Sequence, residues 1–198
     1  LGRNLANRVL KAVNYDFQNT VFSFVPNTAE SAFLGLIKGV DAELNKKKQK
    51  EVTKLCKDGK LKAKKVEKIM SQTPRVEKII VKDEKLRTFI TADSSRGDMV
   101  AHGYDVTYGI VQNEKDTLVL LDDSIVRGTT LKNSIISIVA RLRPKKILVV
   151  SSAPQIRYPD CYGIDMSKMG NFVAFKALVE LLKEDGKEDL LHKTYENC

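Results

Sequence analysis

Two uninterrupted apolar runs, TLVLL (Thr117 to Leu121) and KILVVSS (Lys146 to Ser152), narrow what this chain can fold into more than any other feature. Runs without polar alternation are strands buried on both faces of a parallel sheet. Between them Leu131, Ile135, Ile138, Val139 and Leu142 trace a helical stripe that stops before Pro144. Strand, loop, helix and strand over about 35 residues make a right-handed βαβ unit. The expected fold is α/β, with a mainly parallel sheet flanked by helices.

The other segments fit that class. Leu5, Val9 and Val13 predict a helix from Gly2 to Val13, and VFSFV (Val21 to Val25) is a strand that ends at Pro26. Thr28 is placed to cap a second helix running to about Val40. VEKIIV (Val76 to Val81) and RTFIT (Arg87 to Thr91) read as strands, and Ala92 to Gly109 as a loop. A final helix spans Asn171 to Glu184. The 198 residues suit one domain. Because the chain opens on Leu1 rather than methionine, it reads as a piece of a longer protein.

The net charge of +9 is local. Eleven lysines stand against three acids between Lys46 and Lys68, which leaves the rest of the chain near neutral. A domain-wide basic face for nucleic acid is therefore not supported. The apolar spacing of Val52, Leu55, Val66, Ile69 and Met70 predicts a solvated helical hairpin about Asp58 and Gly59. No apolar run approaches the roughly 20 residues needed to span a membrane. Three scattered cysteines and two histidines give neither a disulfide framework nor a zinc site, so a reducing cytoplasm is the expected location. His102 and His192 are read as solvated, and Cys161 as a packing thiol beside Tyr158 and Tyr162.

The chemistry concentrates in LLDDSIVRGTT, Leu120 to Thr130. Ligands of such sheets bind beyond the carboxyl ends of the strands, where this segment must lie. Neither GxxxxGK[ST] nor GxGxxG is present. Ser124, Arg127, Gly128, Thr129 and Thr130 instead offer hydroxyls, a guanidinium and backbone N–H groups at a helix start, a cradle for a phosphomonoester. Asp122 and Asp123 would repel a bare phosphate, but they suit sugar hydroxyls and a Mg²⁺ ion. Taken alone, the same residues also fit a surface turn before a capped helix.

DDSIVRGTT resembles the phosphoribosyl-pyrophosphate loop of type I phosphoribosyltransferases, in the form used by the glutamine phosphoribosylpyrophosphate amidotransferases. SSAPQIRYPDCYGIDM (Ser151 to Met166), FVPNTAESAFLG (Phe24 to Gly35) and LGRNLA are similar to further segments of that family, in the same order, and VKDEKLRTFI (Val81 to Ile90) to its flexible loop. The resemblance implies the type I phosphoribosyltransferase fold over residues 1–198, with a lysine-rich insertion at about 41–73. It implies transfer of phosphoribose from phosphoribosyl pyrophosphate to ammonia, giving 5-phosphoribosylamine, the first step of de novo purine biosynthesis. By the same carry-over, Asp122 and Asp123 hold the ribose and magnesium, and Ser124, Arg127, Gly128, Thr129 and Thr130 hold the 5′-phosphate. Asn27 and Thr28 meet the pyrophosphate, over which Lys82 and Arg87 close. An N-terminal glutaminase domain, absent from this chain, would supply ammonia. Purine nucleotides as inhibitors and a homo-oligomer are further implications.

The chain also departs from that pattern. Ala29 stands where a serine is frequent, DEKL replaces a longer loop, and a basic residue before the central strand is replaced around His102. Asp160 occupies the place of a cluster-ligating cysteine, with Cys161 one residue off, so an iron–sulfur cluster is not expected. Gly163 and Asp165 fit either the acceptor side or a simple turn. Two other functions share the motif: a salvage phosphoribosyltransferase acting on a base, and a non-catalytic domain that binds the donor or a nucleotide and regulates a partner.

Overall fold

The structure, a computed structural model, describes residues 1–82, 104–161 and 166–197. Among them a four-stranded parallel sheet forms the centre, built from β1 (Thr20–Phe24), β2 (Arg75–Val76), β5 (Thr117–Asp122) and β6 (Lys146–Ser151) in the order β2-β1-β5-β6. A separate antiparallel pair joins β3 (Ile80–Lys82) to β4 (Tyr104–Val106). The α/β expectation holds, with helices covering both faces of the central strands.

The period of two along β1 and β5 divides the core. Phe22, Phe24, Val119 and Leu121 pack with Val9, Leu10, Phe33, Leu36 and Val40 of α1 (Gly2–Ala12) and α2 (Glu30–Lys57). Val21, Leu118 and Leu120 face the opposite side, against Ile135, Ile138, Val139 and Leu142. Ile135, Ile138 and Val139 come from a π-helical turn, Leu131–Ile136, that continues into α4 (Ser137–Ala140), and Leu142 follows it. All five residues of β1 are buried, and burying each large apolar side chain is worth about 2 kcal/mol. Helices α1 and α2 approach closely because glycines line their contact. A Cβ on Gly39 would lie 2.6 Å from the Ala6 Cβ, and one on Gly2 would overlap the Ala32 carbonyl.

Several boundaries differ from expectation. Thr28 does not cap α2: Ala29 occupies that position in helical conformation, without a side-chain cap, and Thr28 is exposed. The helix continues past Val40 to Lys57, because strong helix formers fill the stretch and Leu36, Val40, Leu44 and Lys48 extend one buried stripe. The predicted hairpin then forms, with Gly59 at φ +64° and α3 (Ala63–Met70) returning. The Lys48 ammonium, pulled into the hairpin, donates 2.9 Å to the Met70 carbonyl and so caps α3. VEKIIV is two strands rather than one, since Val76 joins the central sheet while Ile80 and Val81 pair with β4. Tyr104 to Val106 is strand within the segment expected to be a loop.

The carboxyl-terminal part differs too. The expected helix starts at Val173 (α5, Val173–Glu184) and a further helix, α6 (Asp189–Glu196), follows. Strand β6 is half-buried rather than buried, because it lies at the edge of the described sheet. His192 is exposed as expected, whereas Cys161 is exposed rather than packed, as is Tyr158. The expectations for RTFIT, His102, Tyr162, Gly163 and Asp165 lie outside the described residues. No described helix is long and apolar enough to cross a membrane.

One buried ion pair locks the amino-terminal side of the sheet. Arg75 donates 2.7 Å to the Asp116 carboxylate, which is fully buried, and also to the Gln18 and Ile110 carbonyls. Burial works against the Asp116 charge, but the Arg75 and Gln112 hydrogen bonds overcome it and hold the carboxyl below its ordinary range. Arg75→Met should therefore cost about 3 kcal/mol at neutral pH, read as a lower urea midpoint. The deficit should shrink as pH falls and Asp116 takes a proton, because the ionised pair contributes stability only above the carboxylate range. A deficit independent of pH would contradict this role.

Candidate active site

Parallel register brings two loops together. Phe24 pairs with Leu121, and the Val25 N–H donates 2.8 Å to the Leu121 carbonyl. The chain leaving β1, with exposed Asn27 and Thr28, therefore emerges beside Asp122 and Asp123 at the end of β5. The Pro26–Asn27 peptide is cis.

The acid pair is braced from β6. The Ser152 N–H donates 2.9 Å to the Asp122 carbonyl, and the Ala153 N–H donates 2.8 Å to that of Asp123. The Ser152 hydroxyl donates 3.0 Å to the same Asp123 carbonyl. The carboxylates in turn order the backbone that follows: Asp122 Oδ1 accepts from the Asp123 N–H at 2.9 Å, and Asp123 Oδ1 from the Ser124 N–H at 2.7 Å. Burial, and then the neighbouring Asp123, push the Asp122 carboxyl up to about 6, although the Asp123 N–H opposes them. Among the described residues, burial outweighs what favours this charge.

Beyond the acids the chain turns through Ser124 to Thr130. Gly128 has φ +72°, a conformation glycine adopts without strain. Its carbonyl accepts 2.9 Å from the Lys132 N–H, which ties it to the helix that follows. Behind the turn, the Val173 N–H donates 2.8 Å to the Val126 carbonyl, and Phe172 is fully buried. The loop thus rests on the start of α5, while Arg127, Thr129 and Thr130 are exposed.

Lys82 enters from the antiparallel pair. It sits opposite Tyr104, with its ammonium 5.7 Å from the centre of the Tyr104 ring. Burial, then the charges of Asp122 and Asp123, raise the Tyr104 phenol above its ordinary range, so this ring lies within the field of the acid pair. Sequence reasoning missed Tyr104, whose strand is too short to show alternation. Arg87 lies outside the described residues.

No cluster of three or more His, Cys, Asp or Glu side chains able to hold a metal occurs among the described residues. A cation here would need ligand oxygens besides Asp122 and Asp123. That suits an ion such as Mg²⁺, which binds through one or two carboxylates together with substrate oxygens.

Known proteins resemble this chain over part of their length. A curated amidophosphoribosyltransferase of Pasteurella multocida is 43% identical over 84 residues, 41% of this chain and 16% of its own length. That of Saccharomyces cerevisiae is 36% identical over 81 residues (40% and 16%), and that of Bacillus subtilis 32% identical over 106 (53% and 22%). The chain resembles the amidophosphoribosyltransferases. It spans less than a quarter of the length of these relatives. No protein-family model matches it. Among solved structures, a glutamine phosphoribosylpyrophosphate amidotransferase from Bacillus subtilis, complexed with ADP and GMP, superposes with TM-score 0.53 and 22% identity. That match covers 92% of this chain and 33% of the other. A structure described as the allosteric regulatory enzyme of purine biosynthesis gives TM-score 0.51 and 24% identity, over 87% and 30%. The fold is thus that of part of an amidophosphoribosyltransferase.

The buried acid has a measurable cost. With its carboxyl raised to about 6, Asp122 destabilises the folded chain as it ionises between the ordinary carboxylate range and that value. Asp122→Asn should raise the melting temperature at pH 7.5 and lose that advantage near pH 4. A variant less stable than the parent at pH 7.5 would show that the charge is compensated.

Proposed function

We propose that this chain is the phosphoribosyl-transfer portion of an amidophosphoribosyltransferase. Its reaction joins ammonia to C1 of phosphoribosyl pyrophosphate, releasing pyrophosphate and giving 5-phosphoribosylamine, the first step of de novo purine biosynthesis. The observation that carries the proposal is the placement of the acid pair, the Ser124–Thr130 turn and the Asn27–Thr28 turn at adjoining strand ends.

The residues divide the donor among them. Ser124, Arg127, Thr129 and Thr130 receive the 5′-phosphate, with Gly128 letting the backbone approach. Asp122 and Asp123 accept from the ribose hydroxyls and hold Mg²⁺ with donor oxygens. When bound, the ion neutralises charge on the pyrophosphate. Asn27, Thr28, Lys82 and Arg87 meet the leaving pyrophosphate, and cationic groups there favour the charge that develops as the C1–O bond breaks. Most of the rate comes from positioning, since the attacking nitrogen is that of ammonia and the residues named here bind and orient the donor. Ammonia would come from glutamine through a glutaminase domain outside this chain. The exposed Cys56 and Cys161 have no positioned base to take that part.

Replacing Asp122 and Asp123 together by Asn should weaken calorimetric binding of magnesium phosphoribosyl pyrophosphate about tenfold or more, because the metal-binding charge is gone. Binding to the parent should strengthen as pH rises through about 6, where Asp122 loses its proton, and level off above. The chain should release pyrophosphate with ammonium chloride at alkaline pH and produce no glutamate from glutamine. Donor binding without pyrophosphate release would favour a regulatory role instead. Equal affinity in the double variant would overturn the site.

A further inference from the structure

We propose that Tyr104 is a positioning residue for this reaction, a ring platform that holds the Lys82 ammonium toward the donor site beside Asp122 and Asp123. The inference rests on the transferase reading and adds to it a residue with a distinct task.

Three observations converge on it. The antiparallel register sets Lys82 directly opposite Tyr104, so the two side chains share one face of the pair. The Lys82 ammonium lies 5.7 Å from the ring centre, within the range at which an aromatic face attracts a cation. The pair itself is anchored: the Ile79 N–H donates 3.0 Å to the buried Ser23 hydroxyl, the Thr107 N–H donates 2.9 Å to the Ile79 carbonyl, and Ile80 and Val106 are in the core. The strand that carries the ring is thereby tied to the core.

The physical need is clear. Lysine carries its charge on a stem of four rotatable carbons, and fixing that stem costs rotamer entropy. A partner that restricts the stem before the donor arrives lowers the cost at the moment pyrophosphate charge develops. As a phenol, Tyr104 keeps its hydroxyl proton at neutral pH. The platform is therefore neutral and does not repel the pyrophosphate.

The test is a cycle on the isolated chain with magnesium phosphoribosyl pyrophosphate and ammonium chloride. Tyr104→Leu should lower kcat about tenfold with KM changed less than about threefold, because the interaction strengthens as the leaving group departs. Tyr104→Phe, which keeps the ring, should stay within about threefold of the parent in kcat. In a Lys82→Met background, Tyr104→Leu should add less than about a twofold further loss, as expected of residues that act as a unit. Equal losses from Tyr104→Leu in both backgrounds, or a Phe variant as damaged as the Leu variant, would overturn the assignment. If the parent chain bound no donor by calorimetry, the transferase reading would fail and take this inference with it. Donor binding and turnover with additive losses would remove Tyr104 alone.

Discussion

The parallel pairing of β1 with β5 is the constraint on which the molecule depends. Thr20 to Phe24 lie against Thr117 to Leu121 in unbroken register, and both strands are buried on both faces. Helices α1 and α2 cover one side and the Leu131–Ala140 segment the other. Because the strands run the same way, their carboxyl ends open at one level, and the two site loops meet there without any further device. A register slip would exchange the faces of every side chain and separate those loops.

At that level the protein accepts a local conflict. Two adjacent carboxylates sit half-buried on a backbone braced by hydrogen bonds from Ser152 and Ala153 to the Asp122 and Asp123 carbonyls, and burial outweighs the hydrogen bond that favours the Asp122 charge. The contrast with Asp116 is instructive. There a buried carboxylate receives Arg75 and a backbone N–H, and its carboxyl is lowered. At Asp122 burial wins and the carboxyl is raised. One acid is satisfied within the fold, and the other keeps a charge that its surroundings disfavour, a mark of candidate functional sites.

The sequence was most legible where burial is two-sided. TLVLL and VFSFV read as strands because a doubly buried strand has no polar alternation, and DDSIVRGTT stood out because few chemistries place two acids before such a loop. The hairpin at Gly59 was legible from helical spacing alone. What escaped depends on tertiary contacts. The run of α2 to Lys57 is secured by the buried stripe that Lys48 completes against Met70, which lies 22 residues on. The Arg75–Asp116 pair spans 41 residues and leaves no periodic trace. Tyr104 lay in a polar stretch, and a three-residue strand is too brief to alternate. The tyrosine neighbours of Cys161 suggest packing, yet it lies exposed in the irregular segment beyond β6.

The lysine-rich face of α2, where Lys46, Lys50, Lys54 and Lys57 align, is a second described place where an anion could be drawn. The most direct test of the account is therefore a crystal structure of the chain with Mg²⁺ and phosphoribosyl pyrophosphate. The account predicts the 5′-phosphate within the Ser124–Thr130 turn, with the ribose hydroxyls against Asp122 and Asp123. A donor bound only along the lysine face, with that turn empty, would contradict it.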